Sequence, residues 1–247
     1  MNTEPLPPHP TLDRYYTNDA ERAGVVNEMF DAGAPHYEWI CRLMSLGTGE
    51  RYRRRALLNA GIVEGMRVLD VATGTGLVLR SAAQASGGTG LAVGLDPSRG
   101  MLDECRKHCG ASLLQGRGEH LPFADSQFDM VTMGYGLRHV ADLRALFAEY
   151  QRVLKPGGRV LLLEITQPGA AWARWCNRLF LGTLLPGVVR VGSGAGAARM
   201  MDYFWDTIEH CVPPEAILSA LRDTGFPDPA RKVTGGILSE YLGTRPY

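Results

Sequence analysis

A run of apolar residues ending in glycines is the first place in this sequence where chemistry can be read. Val68-Leu69-Asp70-Val71-Ala72-Thr73-Gly74-Thr75-Gly76 has the form of a buried strand turning sharply into a helix. Without side chains at Gly74 and Gly76, a ligand can lie directly against the backbone, as at the switch point of a doubly wound sheet. The same glycines would also serve a tight turn with no ligand. Asp96 shifts the balance: it stands twenty residues after Gly76, at the end of a second apolar run. A carboxylate there can accept two hydrogen bonds from a ribose diol. A dinucleotide fingerprint would need a third glycine at position 79, which is leucine, so close approach of a pyrophosphate is not encoded. The motif fits a nucleoside without phosphates, and S-adenosylmethionine is the cofactor it points to.

Such a site needs elements that bring a strand end, a glycine turn and a distant carboxylate together. Short apolar strands are read at 67–72, 90–96, 112–114, 128–133 and 159–165, with helices at 78–85, 100–108 and 142–154 between them. Strands separated by helices give βαβ units and a parallel sheet, so the class is α/β. Three helical patterns precede the sheet. One is N-capped by Asp19 and carries Val25, Val26, Met29 and Phe30; one runs through Tyr37, Ile40, Leu43 and Met44; one runs from Arg51 to Ala60 and stops at Gly61. Residues 1–19 read as a flexible tail, because prolines at 5, 7, 8 and 10 oppose helix and little is there to bury. Residues 20–247 read as one domain: N-terminal helices over the pocket to 61, a cofactor-binding core at 62–167, and a less regular apolar lid at 168–212. A C-terminal helix at 214–223 and a final strand pair at 230–245 complete it.

Composition removes several alternatives. The 26 basic and 26 acidic side chains balance, so no excess of Lys or Arg is present to neutralise a nucleic-acid backbone, and nucleic acid is not an expected partner. With 45% hydrophobic and 21% charged residues the chain reads as globular and large enough for a full core. The outlier is glycine, 30 of 247 residues, where about 7% is usual. Five cysteines, odd in number and never spaced C-x-x-C, disfavour disulfides and structural zinc and suit a reducing cytoplasm. Cys105 and Cys109 have helical i,i+4 spacing with His108 beside them, yet no further ligand is evident, so no metal is expected. No apolar leader opens the chain, and its longest apolar stretch, 179–189, is interrupted by Gly182 and Pro186.

Phe30-Asp31, Tyr37, Leu43-Met44-Ser45, the 70–76 loop, Leu121-Pro122-Phe123, Gly136-Leu137-Arg138, and the run Arg152 to Arg159 followed by Glu164 occur in a telling order. Together they resemble the ubiquinone/menaquinone biosynthesis C-methyltransferases over residues 25–247. The resemblance implies a Rossmann-like class I methyltransferase with a seven-stranded, mostly parallel sheet, an antiparallel last strand, and extra N-terminal and lid helices. It implies S-adenosylmethionine held by Asp70, Ala72, Thr73, Gly74, Gly76, Asp96, Pro97, Met101, Gly118, Glu119 and Gly134. Asp96 would hold the ribose hydroxyls, Met101 would flank the adenine, and Asp70 would order the loop or accept from the cofactor ammonium. Arg138 and His139 are the catalytic candidates it brings forward. Arg138 would stabilise a phenolate rather than act as base, and His139 titrates near neutrality when unperturbed. Tyr37, Tyr135, Tyr203 and His210 are candidates for the acceptor pocket.

The sequence departs from the family pattern at several points. Arg117-Gly118 stands where an Asp or Asn followed by Ala usually meets the adenine, and Leu77 fills a position that is commonly acidic. Glu38, Ile40-Cys41-Arg42, Gly49 and Tyr52 alter the N-terminal signature over the acceptor pocket. The preferred acceptor is a lipophilic quinol or phenolic ring methylated at carbon. The altered signature equally admits O-, N- or C-methylation of a specialised metabolite, and Leu77 with Arg117 admits a cofactor-binding subunit without catalysis. The segment from Trp172 to Met201, with Tyr203, Phe204 and Trp205 beyond it, reads as a tunnel for a greasy acceptor, a packed helix pair or a homodimer contact. Arg51, Arg53, Arg54 and Arg55 read as a solvated helix face or a peripheral contact with anionic lipid.

Overall fold

The computed structural model describes residues 4–87 and 90–247. Its centre is a seven-stranded sheet in the order β3-β2-β1-β4-β5-β7-β6. The strands are β1 (Val68–Val71), β2 (Ala92–Asp96), β3 (Ser112–Gln115), β4 (Phe128–Gly134), β5 (Leu154–Ile165), β6 (Ala230–Thr234) and β7 (Leu238–Thr244). The first five pair in parallel, and β7 lies antiparallel to both β5 and β6. β1 and β2 are buried along their whole length, which is why they read as unbroken apolar runs rather than alternating ones. β5 begins five residues earlier than the apolar pattern suggests, and the Lys155–Gly158 stretch bulges against β4 before Arg159 resumes the register.

Among the described residues eight α-helices surround the sheet: α1 (Asp19–Met44), α2 (Gly49–Asn59), α3 (Leu77–Ala85), α4 (Arg99–His108), α5 (Leu143–Val153), α6 (Ala171–Leu179), α7 (Leu185–Glu209) and α8 (Pro214–Asp223). The helices α2 and α3 bury Ala56, Leu57, Val78 and Ala82 against one face of the sheet. On the other face α5 and α8 bury Leu146, Phe147, Tyr150, Ile217 and Leu221. A separate apolar cluster, built mainly from α1, the segment Phe180–Leu184 and α7 and including Ile40, Leu181, Val189, Met201 and Phe204, caps the sheet.

Three local readings change. The first two helical patterns are one helix, α1, which passes through Pro35 and is capped by Asn18, whose side chain accepts from Glu21 N at 3.0 Å, rather than by Asp19. The segment expected as a flexible tail is packed where it is described. Leu12, Tyr15 and Tyr16 are buried with Val26, Met29 and Tyr203, and Leu6 and Pro8 carbonyls accept from Leu143 and Val212. Aromatic burial holds a proline-rich, irregular segment. The lid, expected as irregular, is helical: α6 runs through a π-helical turn, Phe180–Leu184, into α7, which breaks only at Gly194 (φ 83°, ψ 178°).

Candidate active site

β1 delivers the chain to the glycine turn at the point where the sheet's connections part, toward β2 on one side and β4 on the other. Ala72 (φ 52°), Gly74 (φ 56°) and Gly76 (φ 85°) turn left-handed in succession. For a residue with a Cβ, as at Ala72, this is a strained conformation of the kind that collects at functional sites. Tyr135 (φ 62°), just beyond β4, carries the second such strain beside it. A Cβ on Gly76 would come within 2.5 Å of Cys105 Sγ, so that glycine serves helix packing and does not line the cavity. A Cβ on Gly74 would meet nothing nearer than Tyr37 Cε1 at 3.9 Å, so its backbone stands bare toward open space.

Two buried carboxylates hold this turn, in different ways. Asp70 accepts from the Thr73 and Thr132 hydroxyls at 2.7 and 2.6 Å, and neither Asp70 nor Thr73 lines the cavity. It orders the loop. Asp96 accepts from the Gly74 and Ser98 amides at 2.8 Å each and does line the cavity. Burial pushes both carboxyls up to about 6. Each Asp96 oxygen retains a lone pair beyond its amide partner, the capacity a diol requires.

The cavity in front of Asp96 encloses about 980 Å³ including its mouth. Of the other residues assigned to the cofactor, Ala72, Gly74, Pro97 and Met101 line it, as do Gly118, Glu119 and Gly134. Met101 is buried and offers an apolar wall, while Arg117 stands exposed at the rim. Glu119 accepts from Ala141 N at 2.7 Å. A carboxylate with free acceptor capacity, a bare glycine backbone and an apolar wall fit a nucleoside that carries no phosphate. Asp96, Gly74, Pro97, Met101 and the 117–119 turn are the residues that would hold S-adenosylmethionine.

Arg138 is not where a group touching substrate would be. Its side chain is fully buried and lines neither cavity. Nε donates to Glu164 Oε1 at 2.9 Å, and Nη1 donates to Thr207 Oγ1 and the Phe204 carbonyl at 2.7 and 3.1 Å. The guanidinium stacks on Phe204, 4.3 Å from the ring centre. Burial raises the Glu164 carboxyl, and Arg138 opposes that rise. Arg138 thus ties β5 and α7 to its own turn, and its backbone carbonyl also accepts from Arg22 Nη2, which in turn reaches His9 Nε2. His139 does line the cavity, edge-on to Phe30 at 5.0 Å. Its two ring nitrogens are buried and have no partner among the described residues. Burial, with the charges of Arg138, His9 and Arg22, holds its imidazole well below the usual histidine value, so it stands neutral.

Tyr203 and His210 do not reach the site. Tyr203 is buried against the Tyr15 and His139 rings, and His210 sits at the exposed end of α7 with Nδ1 against the Asp206 carbonyl. Tyr37 and Tyr135 stand in the wall between the first cavity and a second one of about 1080 Å³, and Phe30 shares that wall. Burial keeps both phenols protonated. The second cavity is lined by Ile40, Met44, Ile165, Leu181, Met200, Met201, Phe204 and Leu238. The altered N-terminal positions Ile40, Cys41, Gly49 and Tyr52 lie in its wall, and Glu38 instead pairs with Arg80 at 2.8 Å. Among its polar lining atoms, Tyr52 Oη, Arg53 Nε and Asn177 Nδ2 are buried with no partner in the described structure. Arg53 escaped the sequence reading because it sits inside an arginine run, yet it shares a helical face with Ala56 and Leu57, which are buried. Among the described residues no three His, Cys, Asp or Glu side chains converge as metal ligands, and no helix is long and apolar enough to cross a membrane.

A model of the ubiE/COQ5 methyltransferase family matches residues 16–245. The chain is 34% identical over 233 residues to the ubiquinone/menaquinone biosynthesis C-methyltransferase UbiE of Geobacter sulfurreducens, covering 91% of this chain and 90% of that one. It is 35% identical over 230 residues to the demethylmenaquinone methyltransferase of Deinococcus radiodurans, covering 91% and 94%. Among solved structures, a SAM-dependent methyltransferase of Thermotoga maritima superposes with a TM-score of 0.62 at 17% identity, covering 89% of this chain and 99% of that one. One from Aquifex aeolicus gives 0.59 at 16% identity, covering 84% and 97%.

Proposed function

Because the chain belongs to the ubiE/COQ5 methyltransferase family and is an S-adenosylmethionine-dependent methyltransferase, we propose that it methylates a ring carbon of a lipophilic quinol. The observation that carries this reading is the second cavity, apolar along most of its wall and meeting the cofactor cavity at Phe30, Tyr37 and Tyr135. A water-soluble metabolite would leave that lining without an apolar partner, whereas a quinol with a hydrocarbon tail fills it.

When bound, the sulfonium supplies a methyl group already activated by positive charge. The chain must then align the acceptor, exclude water and let the ring hydroxyl proton leave as the ring carbon takes the methyl group and the donor departs as a neutral thioether. Loss of that carbon's own proton restores the aromatic ring. Phe30, Tyr37 and Tyr135 form the dry wall across which the two ligands meet, with the phenols as donors toward ring oxygens. His139, neutral and with both nitrogens free, accepts the hydrogen bond of a ring hydroxyl. Arg138, one residue away and fixed by Glu164 and Thr207, favours negative charge developing on that oxygen through the field of its guanidinium.

The test is a tryptophan placed in the second cavity. Leu238→Trp is expected to lower turnover of a tailed demethylated quinol by about tenfold or more while S-adenosylhomocysteine affinity, read by calorimetry, stays unchanged. Equal turnover in the variant and the wild type would show that the acceptor binds elsewhere.

A further inference from the structure

Residues 171–193 form one helical arm: α6, the π-helical turn and the first part of α7, ending at Gly194. Its inner side buries Asn177, Leu181, Leu185 and Val189, spaced four apart, and Asn177 and Leu181 line the second cavity. Its outer side is apolar too. Trp172, Trp175, Leu179, Leu184, Val188 and Val191 are all exposed, Trp172 to 74% and Val191 to 92%. The one step of five residues, from Leu179 to Leu184, falls across the π-helical turn, whose wider winding brings the stripe back toward the same side. Trp39 lies 3.4 Å from the position a Cβ on Gly192 would take, which carries the exposed apolar surface across to α1. At the rim of the cavity Leu46 is 78% exposed.

The charge along this arm has one sign. Residues 171–193 contain Arg174, Arg178 and Arg190 and no Asp or Glu. Arg178 and Arg190 pair with Glu209 and Asp202 behind them, and both arginine side chains stay 65% exposed. Arg51, Arg54 and Arg55 are exposed on neighbouring α2, whose first turn borders the same cavity.

We propose that this stripe seats the protein on an anionic lipid bilayer, with the mouth of the second cavity held against the acyl region. The inference rests on the reading of that cavity as the acceptor site: a tailed acceptor would then pass from bilayer to cavity without crossing water. Tryptophans beside arginines suit the boundary between headgroups and chains, where the ring is half apolar and the guanidinium reaches phosphate. A solvated helix has no use for six outward apolar side chains in a row. Self-pairing across a twofold axis would set the arginines of one copy against those of the other, whereas an anionic surface complements them.

Flotation with phosphatidylcholine vesicles, with and without phosphatidylglycerol, tests the proposal on wild type and on the variant Trp172→Ser with Trp175→Ser, both mostly exposed and in none of the buried clusters. Wild type is expected to float with the anionic vesicles, more weakly at high salt, and the variant to bind about tenfold less. The variant should also lose turnover of a tailed acceptor embedded in vesicles and keep turnover of a short-tailed one in solution. Equal flotation of the two proteins, or none by wild type, would overturn the proposal. So would a wild-type dimer in light scattering that the variant converts to monomer, since the stripe would then be a self-interface. Failure of wild type to use either acceptor would instead count against the quinol reading, with flotation still deciding this one.

Discussion

In its proposed role of holding the ribose hydroxyls, Asp96 meets two demands that oppose each other: burial in the cavity wall and the ionised state needed to accept. Burial pushes its carboxyl up to about 6. Below that value the protonated form dominates and loses acceptor capacity, and above it the carboxylate is fully available. Affinity for S-adenosylhomocysteine is therefore expected to weaken as pH falls through about 6, by up to about tenfold per pH unit, and Asp96→Asn is expected to flatten that dependence to what Asp70, raised to the same value, contributes. A titration series at several pH values checks both. Arg138 makes a different prediction, because it is buried with Glu164 and touches neither cavity. Arg138→Met leaves Glu164 without its partner and should cost about 3–5 kcal/mol of stability, whereas Arg138→Met with Glu164→Leu should recover most of it. Thermal unfolding of the pair separates this role from a purely catalytic one. Gly74 and Asp96 were legible in the sequence because backbone freedom and a carboxylate at fixed spacing are local facts. The placement of Arg138 was not, since its side chain is aimed by Glu164, Phe204 and Thr207, all distant along the chain.

At the scale of elements, the strands were legible and the lid was not. β1, β2 and β4 are short apolar runs with no competing period, and α8 begins at Pro214, a helix-start signal that survives in any context. The lid hides its helices twice over: the π-helical turn shifts the apolar spacing, and glycines at 182, 187, 192, 194 and 196 depress helix propensity. Gly194 is the position where a glycine is required, at φ 83° and ψ 178°, a region closed to other residues. Gly194→Ala meets no atom within 4 Å, so any effect comes from backbone strain alone. The expected loss is about 1–3 kcal/mol, read by chemical denaturation, and Gly187→Ala, within α7 and with equal space, is expected to be neutral or mildly stabilising.

The whole molecule is a donor cavity at the carboxyl ends of β1, β2 and β4, joined to an apolar chamber roofed by α1, α6 and α7. The α/β class and the cofactor loop could be read ahead of the structure, since strand–helix alternation and the glycine turn are local patterns, whereas the strand order could not. The chamber could be read only as one of three uses of the 172–201 segment, because its wall joins Phe180, Leu181, Met200, Met201 and Phe204 to α1, α2 and β7, which only tertiary packing brings together. The proposed reaction sets a sulfonium methyl and a ring carbon face to face across these two spaces. Its most direct measurement is transfer of a ¹³C-labelled methyl group by the purified protein to a reduced, demethylated quinone with a hydrocarbon tail, followed by NMR of the product. A methyl resonance attached to ring carbon is the expected result. A methoxy resonance, or no transfer while the labelled donor binds normally, would contradict it.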